Sequence, residues 1–247
     1  MLDLKNEYRI ALMVVLSLNV LLFIVNMIDI KYLWLDATER SPAALSQFVH
    51  EGTYLLIISI VLAMSVLIFF FRDNLNFYKE NNLLRLAAYA WILQNSMLAL
   101  SVGMRNFKYI DAYGLAYKRI GVMIFLVLTL VGLLTMFYKI RDIKSFYYLL
   151  KTNAWALYLV LVATCFVNWD VAITRYNLTA DTKTIDMKFL LEEVSDKNLF
   201  VLYEHRDRIA EKTNYNFHFV ENKREQFKSR QKKYGWASWN YADYRNR

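Results

Sequence analysis

Residues 120–138 read Ile-Gly-Val-Met-Ile-Phe-Leu-Val-Leu-Thr-Leu-Val-Gly-Leu-Leu-Thr-Met-Phe-Tyr, nineteen consecutive positions without Asp, Glu, Lys, Arg or His, bounded by Arg119 and Lys139. Wound as an α-helix at about 1.5 Å per residue, such a run covers roughly 28 Å, close to the ~30 Å hydrocarbon thickness of a bilayer. No water reaches the backbone there, and a helix satisfies its own N–H and C=O groups. Working outward in both directions, the same charge-free pattern recurs at 10–28, 52–71, 86–104 and 152–169, with lengths of 19, 20, 19 and 18 residues. These windows predict an all-α, polytopic membrane helix bundle with five transmembrane helices. The first is longer than the apolar part of a signal peptide, and no small-residue cleavage site follows it, so it is expected to be retained.

Composition agrees. With 57% hydrophobic and 21% charged residues among 247, the chain carries too many large apolar side chains for a disordered segment. The single cysteine, Cys165, can form no internal disulfide and is expected to pack as a small hydrophobe. Three histidines without His-x-x-x-His spacing leave little material for zinc, and six glycines and one proline form no glycine-rich phosphate loop. No metal or cofactor is therefore expected. The formal net charge of +8 would suggest nucleic acid in a soluble protein. Membrane proteins, however, collect Lys and Arg in loops for topological reasons, so the bilayer is the expected partner and nucleic acid is not.

After Trp169 the character changes. Residues 171–247 hold fifteen of the thirty Lys and Arg and eleven of the twenty-two Asp and Glu. The chain is accordingly read as a five-span bundle over 1–170 and a small, basic, mostly helical polar tail over 171–247. Apolar spacing in the tail predicts helices near 185–191 and over 199–212, with a basic third segment over 217–234. The run from Lys223-Arg224 to Lys232-Lys233 reads as a solvated helix face, with anionic lipid headgroups as the alternative partner. Orientation is not decided by charge, because the Lys and Arg of short loops divide nine to nine between the two sides.

An odd number of spans puts the ends of helices one, three and five on the tail's side of the membrane. The polar residues expected there are Asp29, His50, Glu51, Arg105, Tyr113, Lys118, Arg119, Asp170, Arg175 and Asn177. Opposite charges at this depth pair to offset desolvation, and Glu51 with Arg105 or Arg119, and Asp170 with Arg175, are the expected partners. Two functions fit such a face: a structural ion-pair network, or a ligand or catalytic site. Within the spans, Asn19 and Asn26 lie two turns apart on one helix face, and Gln94, Asn95, Ser96 and Ser101 make the third window polar. Interhelical hydrogen bonds are the expected use of these groups, a polar substrate path the alternative.

Six stretches resemble one family. Tyr113-Gly114-Leu115-Ala116-Tyr117-Lys118-Arg119 is similar to the Tyr-Gly-Leu-Thr-x-x-Arg signature of bacterial multi-span proteins grouped as domain-of-unknown-function family 4173. In the same order follow likenesses at 47–54, at 101–105, at 168–178 (Asn168, Asp170, Ile173, Asn177), at 185–190 (Ile185, Asp186, Leu190) and at 236–241 (Trp236, Ser238, Trp239, Asn240). The resemblance implies a bacterial plasma (inner) membrane and no known activity. Members of that family commonly carry further spans ahead of this region, which implies that a site shared with such spans is incomplete in this chain.

Three functions follow as expectations. The leading one is a non-enzymatic scaffold or assembly module of an envelope complex, acting with a membrane-protein partner or as a homo-oligomer. The alternative is a transporter or channel component with a polar site near Glu51 and Arg105. The third is a membrane-embedded enzyme with His50 or Glu51 as base and Arg105 or Arg119 holding an anion.

Overall fold

The computed structural model describes residues 2–31, 57–71, 81–180, 185–213 and 217–233, together with 235, 238, 241 and 244. Among them every regular element is helical. Four helices are long and apolar enough to cross a membrane: α1 (Leu2–Asp29), α3 (Asn82–Tyr113), α4 (Tyr117–Arg141) and α5 (Phe146–Cys165). The window at 52–71 contributes α2 (Ile57–Phe70), a shorter apolar helix, and residues 52–56 of that window lie outside the described residues. The chain is an all-α, polytopic membrane protein. Its spans expose large apolar side chains such as Met13, Val20, Leu21, Leu62, Leu93 and Leu159. Water penalises that surface and lipid does not.

Packing divides the chain into two compact units, Met1–Tyr109 with Gly121–Ala163, and Ile110–Ile120 with Thr164–Arg247. In the first unit one apolar cluster joins Ala11, Val15 and Leu22 of α1, Leu67 and Phe71, Leu84, Ala88, Leu98 and Val102 of α3, and Leu133, Met136 and Ile140 of α4. Steps of three, four, seven and ten residues between these positions place them on single helix faces.

A polar seam runs beside that cluster. Asn19 donates through Nδ2 to the Ala87 carbonyl at 3.0 Å and accepts from Gln94 Nε2 at 2.9 Å, while Asn26 donates to the Gln94 carbonyl at 3.1 Å. Asn95 and Ser96 behave otherwise than expected. They donate to their own helix, to Trp91 O and Ile92 O at 2.8 and 2.9 Å, because the carbonyl four residues back is always within reach. Trp91 is buried, and its Nε1 donates to Ala63 O at 3.2 Å. α5 meets this unit through Leu149 and through Asn153, whose Nδ2 reaches Thr135 Oγ1 at 2.9 Å. Cys165 is exposed at the end of α5, where close packing had been expected.

From Thr164 onward the chain belongs to the second unit. Asn168 caps α6 (Trp169–Thr179), its side chain accepting from the Val171 amide at 3.3 Å, and Asp170 lies in the first turn, where the helix dipole favours negative charge. Asp186 accepts from the Phe189 amide at 3.0 Å and starts a short π-helical turn, Phe189–Glu193. A 3₁₀ turn, Asp196–Asn198, leads into α7 (Leu199–Glu204), α8 (Arg206–Lys212) and α9 (His218–Gln231). The single helix expected over 199–212 is thus two helices, broken at His205. Ile173, Leu178, Leu190, Val201, Leu202, Ile209 and Val220 form its apolar core.

Candidate functional site

The signature beginning at Tyr113 is a helix stop. Gly114 ends α3 with φ +79°, and its amide donates to Ile110 O at 2.7 Å, the bond that closes a helix on a left-handed residue. Helix ends leave carbonyls without partners. Arg119, the third residue of α4, donates to Tyr113 O at 3.0 Å and also to Gly114 O. Asn177, from α6, serves the next residue: its Oδ1 accepts from the Leu115 amide at 2.5 Å and its Nδ2 donates to Leu115 O at 2.9 Å. A Cβ added at Gly114 would lie 2.5 Å from Asn177 Oδ1, so room as well as backbone conformation selects glycine there.

Asp170 forms a second junction. Its carboxylate accepts from the Tyr117 hydroxyl, at the start of α4, and from the Ser195 hydroxyl ahead of the 3₁₀ turn. Beneath it a chain of neutral groups continues inward. Thr174 Oγ1 donates to Asp170 O at 2.8 Å, and Asn198, fully buried, donates through Nδ2 to Thr174 Oγ1 at 3.1 Å and to Leu190 O at 2.9 Å. Lys223 of α9 closes the chain, donating to Val194 O at 2.7 Å and Leu190 O at 3.3 Å. Burial lowers its amine to about 8, against the opposing pull of Asp196 and Asp170.

The sequence-marked residues therefore fall into four groups. Tyr113, Arg119, Asp170 and Asn177 come together around the α3–α4 turn and the start of α6 in the second unit. Arg175 does not join them. It reaches Glu204 at 3.4 Å, and the expected Asp170–Arg175 pair is absent because five positions along a helix separate two side chains by about 140°. Arg105 belongs to the first unit, where it pairs with Asp29, both side chains under 10% exposed. His50 and Glu51 lie outside the described residues, as do Trp236 and Trp239.

Several partners had not been singled out: Tyr117, Ser195, Asn198 and Lys223. A signal existed for Lys223. Val220, Lys223 and Phe227 are spaced as one inward helix face, so the basic run over 223–233 is not uniformly solvated. Arg224, its neighbour, lies over the Tyr203 ring at 4.8 Å, and Arg230 pairs with Asp196.

Compared with known families, residues 3–205 match a domain of unknown function, DUF4153. This corrects the resemblance to family 4173. A glycine helix stop and an Asn N-cap are dictated by local backbone geometry, so motifs built on them do not separate one helical membrane family from another. Neither a curated protein nor a solved structure matches the chain.

Proposed function

Because the chain belongs to the DUF4153 family, which carries no assigned activity, we propose that it is a non-enzymatic membrane scaffold, an assembly module of a complex in the bacterial inner membrane. One observation carries this reading. The polar groups that the sequence marks in the second unit are spent on holding it together: Arg119 on helix-end carbonyls, Asn177 on both backbone groups of Leu115, Asp170 on two hydroxyls. A catalytic acid or anion-binding arginine keeps its polar atoms for a ligand; these are engaged inside the fold. What such a unit presents outward is its surface, with Glu225, Gln226 and Ser229 along the exposed side of α9.

The test is in-membrane crosslinking followed by sizing of the gently extracted chain. A crosslinked species heavier than the 29.4 kDa chain is expected, and Gln226→Arg with Ser229→Arg should weaken it while leaving abundance unchanged. A chain that stays monomeric in its own membrane removes the scaffold reading. The transporter reading draws on a different observation: the buried oxygens Asn95 Oδ1 and Gln94 Oε1 have no hydrogen-bond partner among the described residues. Cysteine placed at Asn95 and probed with a water-soluble thiol reagent tests it, and labelling that depends on added solute would favour a path there.

A further inference from the structure

α5 packs by one face only. Leu149 is buried, and Asn153, Ala156 and Val160 at the following turns are half-buried, whereas the opposite side of the helix is open. That open side is not plain hydrocarbon surface. Tyr147, Leu150, Lys151, Ala154, Trp155 and Tyr158 follow one another at three- and four-residue steps and line a groove of about 500 Å³. Tyr147 is 70% exposed, Trp155 56% and Tyr158 57%. The small side chain of Ala154 makes the dent between the larger ones.

Lys151 is the one charged residue of this lining, and its amine has no hydrogen-bond or ion-pair partner among the described residues. A cation on the outward face of a membrane span must either reach the headgroup layer or find an anion. Its position suits both. Lys151 is about 8 Å along the axis from Phe146, where α5 begins, and Tyr158 is about 10 Å deeper. The turn before α5 adds Arg141 and Lys144, against one acid, Asp142. Lys144 also lies over the Tyr148 ring at 4.3 Å, so that end of the helix is cationic and aromatic, the combination found at membrane–water interfaces.

We propose that this groove is a binding site for an anionic phospholipid, with the phosphate against Lys151 and an acyl chain lying along Ala154 and over the outer side of the Trp155 and Tyr158 rings, which themselves pack edge to face at 5.7 Å. Charge complementarity selects the anionic headgroup, and the aromatic rings supply an amphipathic wall at its depth. The site is separate from the basic run of α9 and does not depend on the scaffold reading.

The full chain, purified in a neutral detergent, is titrated with dioleoyl phosphatidylglycerol or dioleoyl phosphatidylcholine in mixed micelles, with bound lipid counted by native mass spectrometry. The glycerol lipid should bind about five-fold more tightly, the effect of one basic side chain near a membrane surface. Lys151→Gln should abolish the preference, Ala154→Trp should fill the dent and weaken both lipids, and Lys232→Gln with Lys233→Gln should change nothing. Both α5 positions are exposed, and unchanged thermal unfolding in the absence of lipid verifies that the variants fold. A preference that survives Lys151→Gln, or that is lost instead with the α9 pair, overturns the proposal. So does sn-glycerol 3-phosphate binding as tightly as the lipid, which would make the ligand a soluble phosphate. A fall in oligomeric mass on Ala154→Trp would make the groove a contact between copies and overturn it equally.

Discussion

Asn177 holds Leu115 by both backbone groups, 62 residues away in sequence, accepting from its amide at 2.5 Å and donating to its carbonyl at 2.9 Å. The side-chain amide thus behaves as a strand partner for a single residue. That residue sits in the α3–α4 turn, where neither helix can supply a bond.

Asn177→Ala should cost about 1–3 kcal/mol in the second unit, since two backbone groups lose their partner at once. Gly114→Ala should cost a similar amount, from the positive φ and from the contact with Asn177 Oδ1. The two effects should not add. With Asn177 shortened the clash disappears, so the double variant should be more stable than the sum by roughly 1 kcal/mol. Thermal unfolding of the full chain, read by proteolysis within α6, measures the cycle.

Asp29, the last residue of α1, and Arg105, two turns before the end of α3, form a buried pair. Arg105→Ala leaves the buried Asp29 carboxylate without this guanidinium, and a loss of about 3–5 kcal/mol is expected; Asp29→Ala, which removes the carboxylate instead, should cost less. Asp29→Arg combined with Arg105→Asp should recover part of it. Thermal stability of the four proteins in one detergent decides, and failure of the exchange to recover anything would show that Arg105 depends on other contacts more than on this one.

Asp170→Asn keeps the shape at the head of α6 but removes the charge that accepts from Tyr117 and Ser195. It also removes an acid from the first turn of a helix. Together these should lower stability by about 2 kcal/mol. Ser195→Ala alone should cost roughly 1 kcal/mol. Proteolysis of the tail near the 3₁₀ turn should accelerate in the same order.

Lys223 gives the second unit an unusual pH dependence. Its amine titrates near 8 in the folded chain, below its ordinary value of 10.5. Between those two values the unfolded chain binds the extra proton, so stability should rise with pH across this window, by at most roughly 3 kcal/mol. Below pH 8 the charged amine is buried and the penalty is present in full. Lys223→Met should remove the slope. The difference in melting temperature between wild type and variant, followed from pH 7 to 10.5, isolates this group from others that titrate there.

Ile143 occupies the turn between α4 and α5 with φ 52°, a conformation that a β-branched residue adopts at a cost of about 1–2 kcal/mol. Ile143→Gly should relieve it and raise the melting temperature by a few degrees. A fall on this substitution would show that the Ile143 side chain contributes more by packing than its backbone costs.

Long charge-free windows determined by themselves that the chain is helical and crosses a membrane, because hydrocarbon leaves the backbone no alternative source of hydrogen bonds. Local stops and starts carry a signal of the same kind, although it was the structure that revealed them. Gly114, Asn168 and Asp186 act within three or four residues of where they stand, and their residue types suffice to read them. Partner choice was another matter. Arg105 faces Asp29, Arg175 faces Glu204, and Lys223 lies beneath a π-helical turn 29 to 33 residues earlier. Each depends on the rotation and axial register of helices joined by long stretches of chain. Hydrophobic periodicity specifies which face of a helix turns inward, but it is silent on which residue of another helix that face meets, and only the tertiary structure decides it.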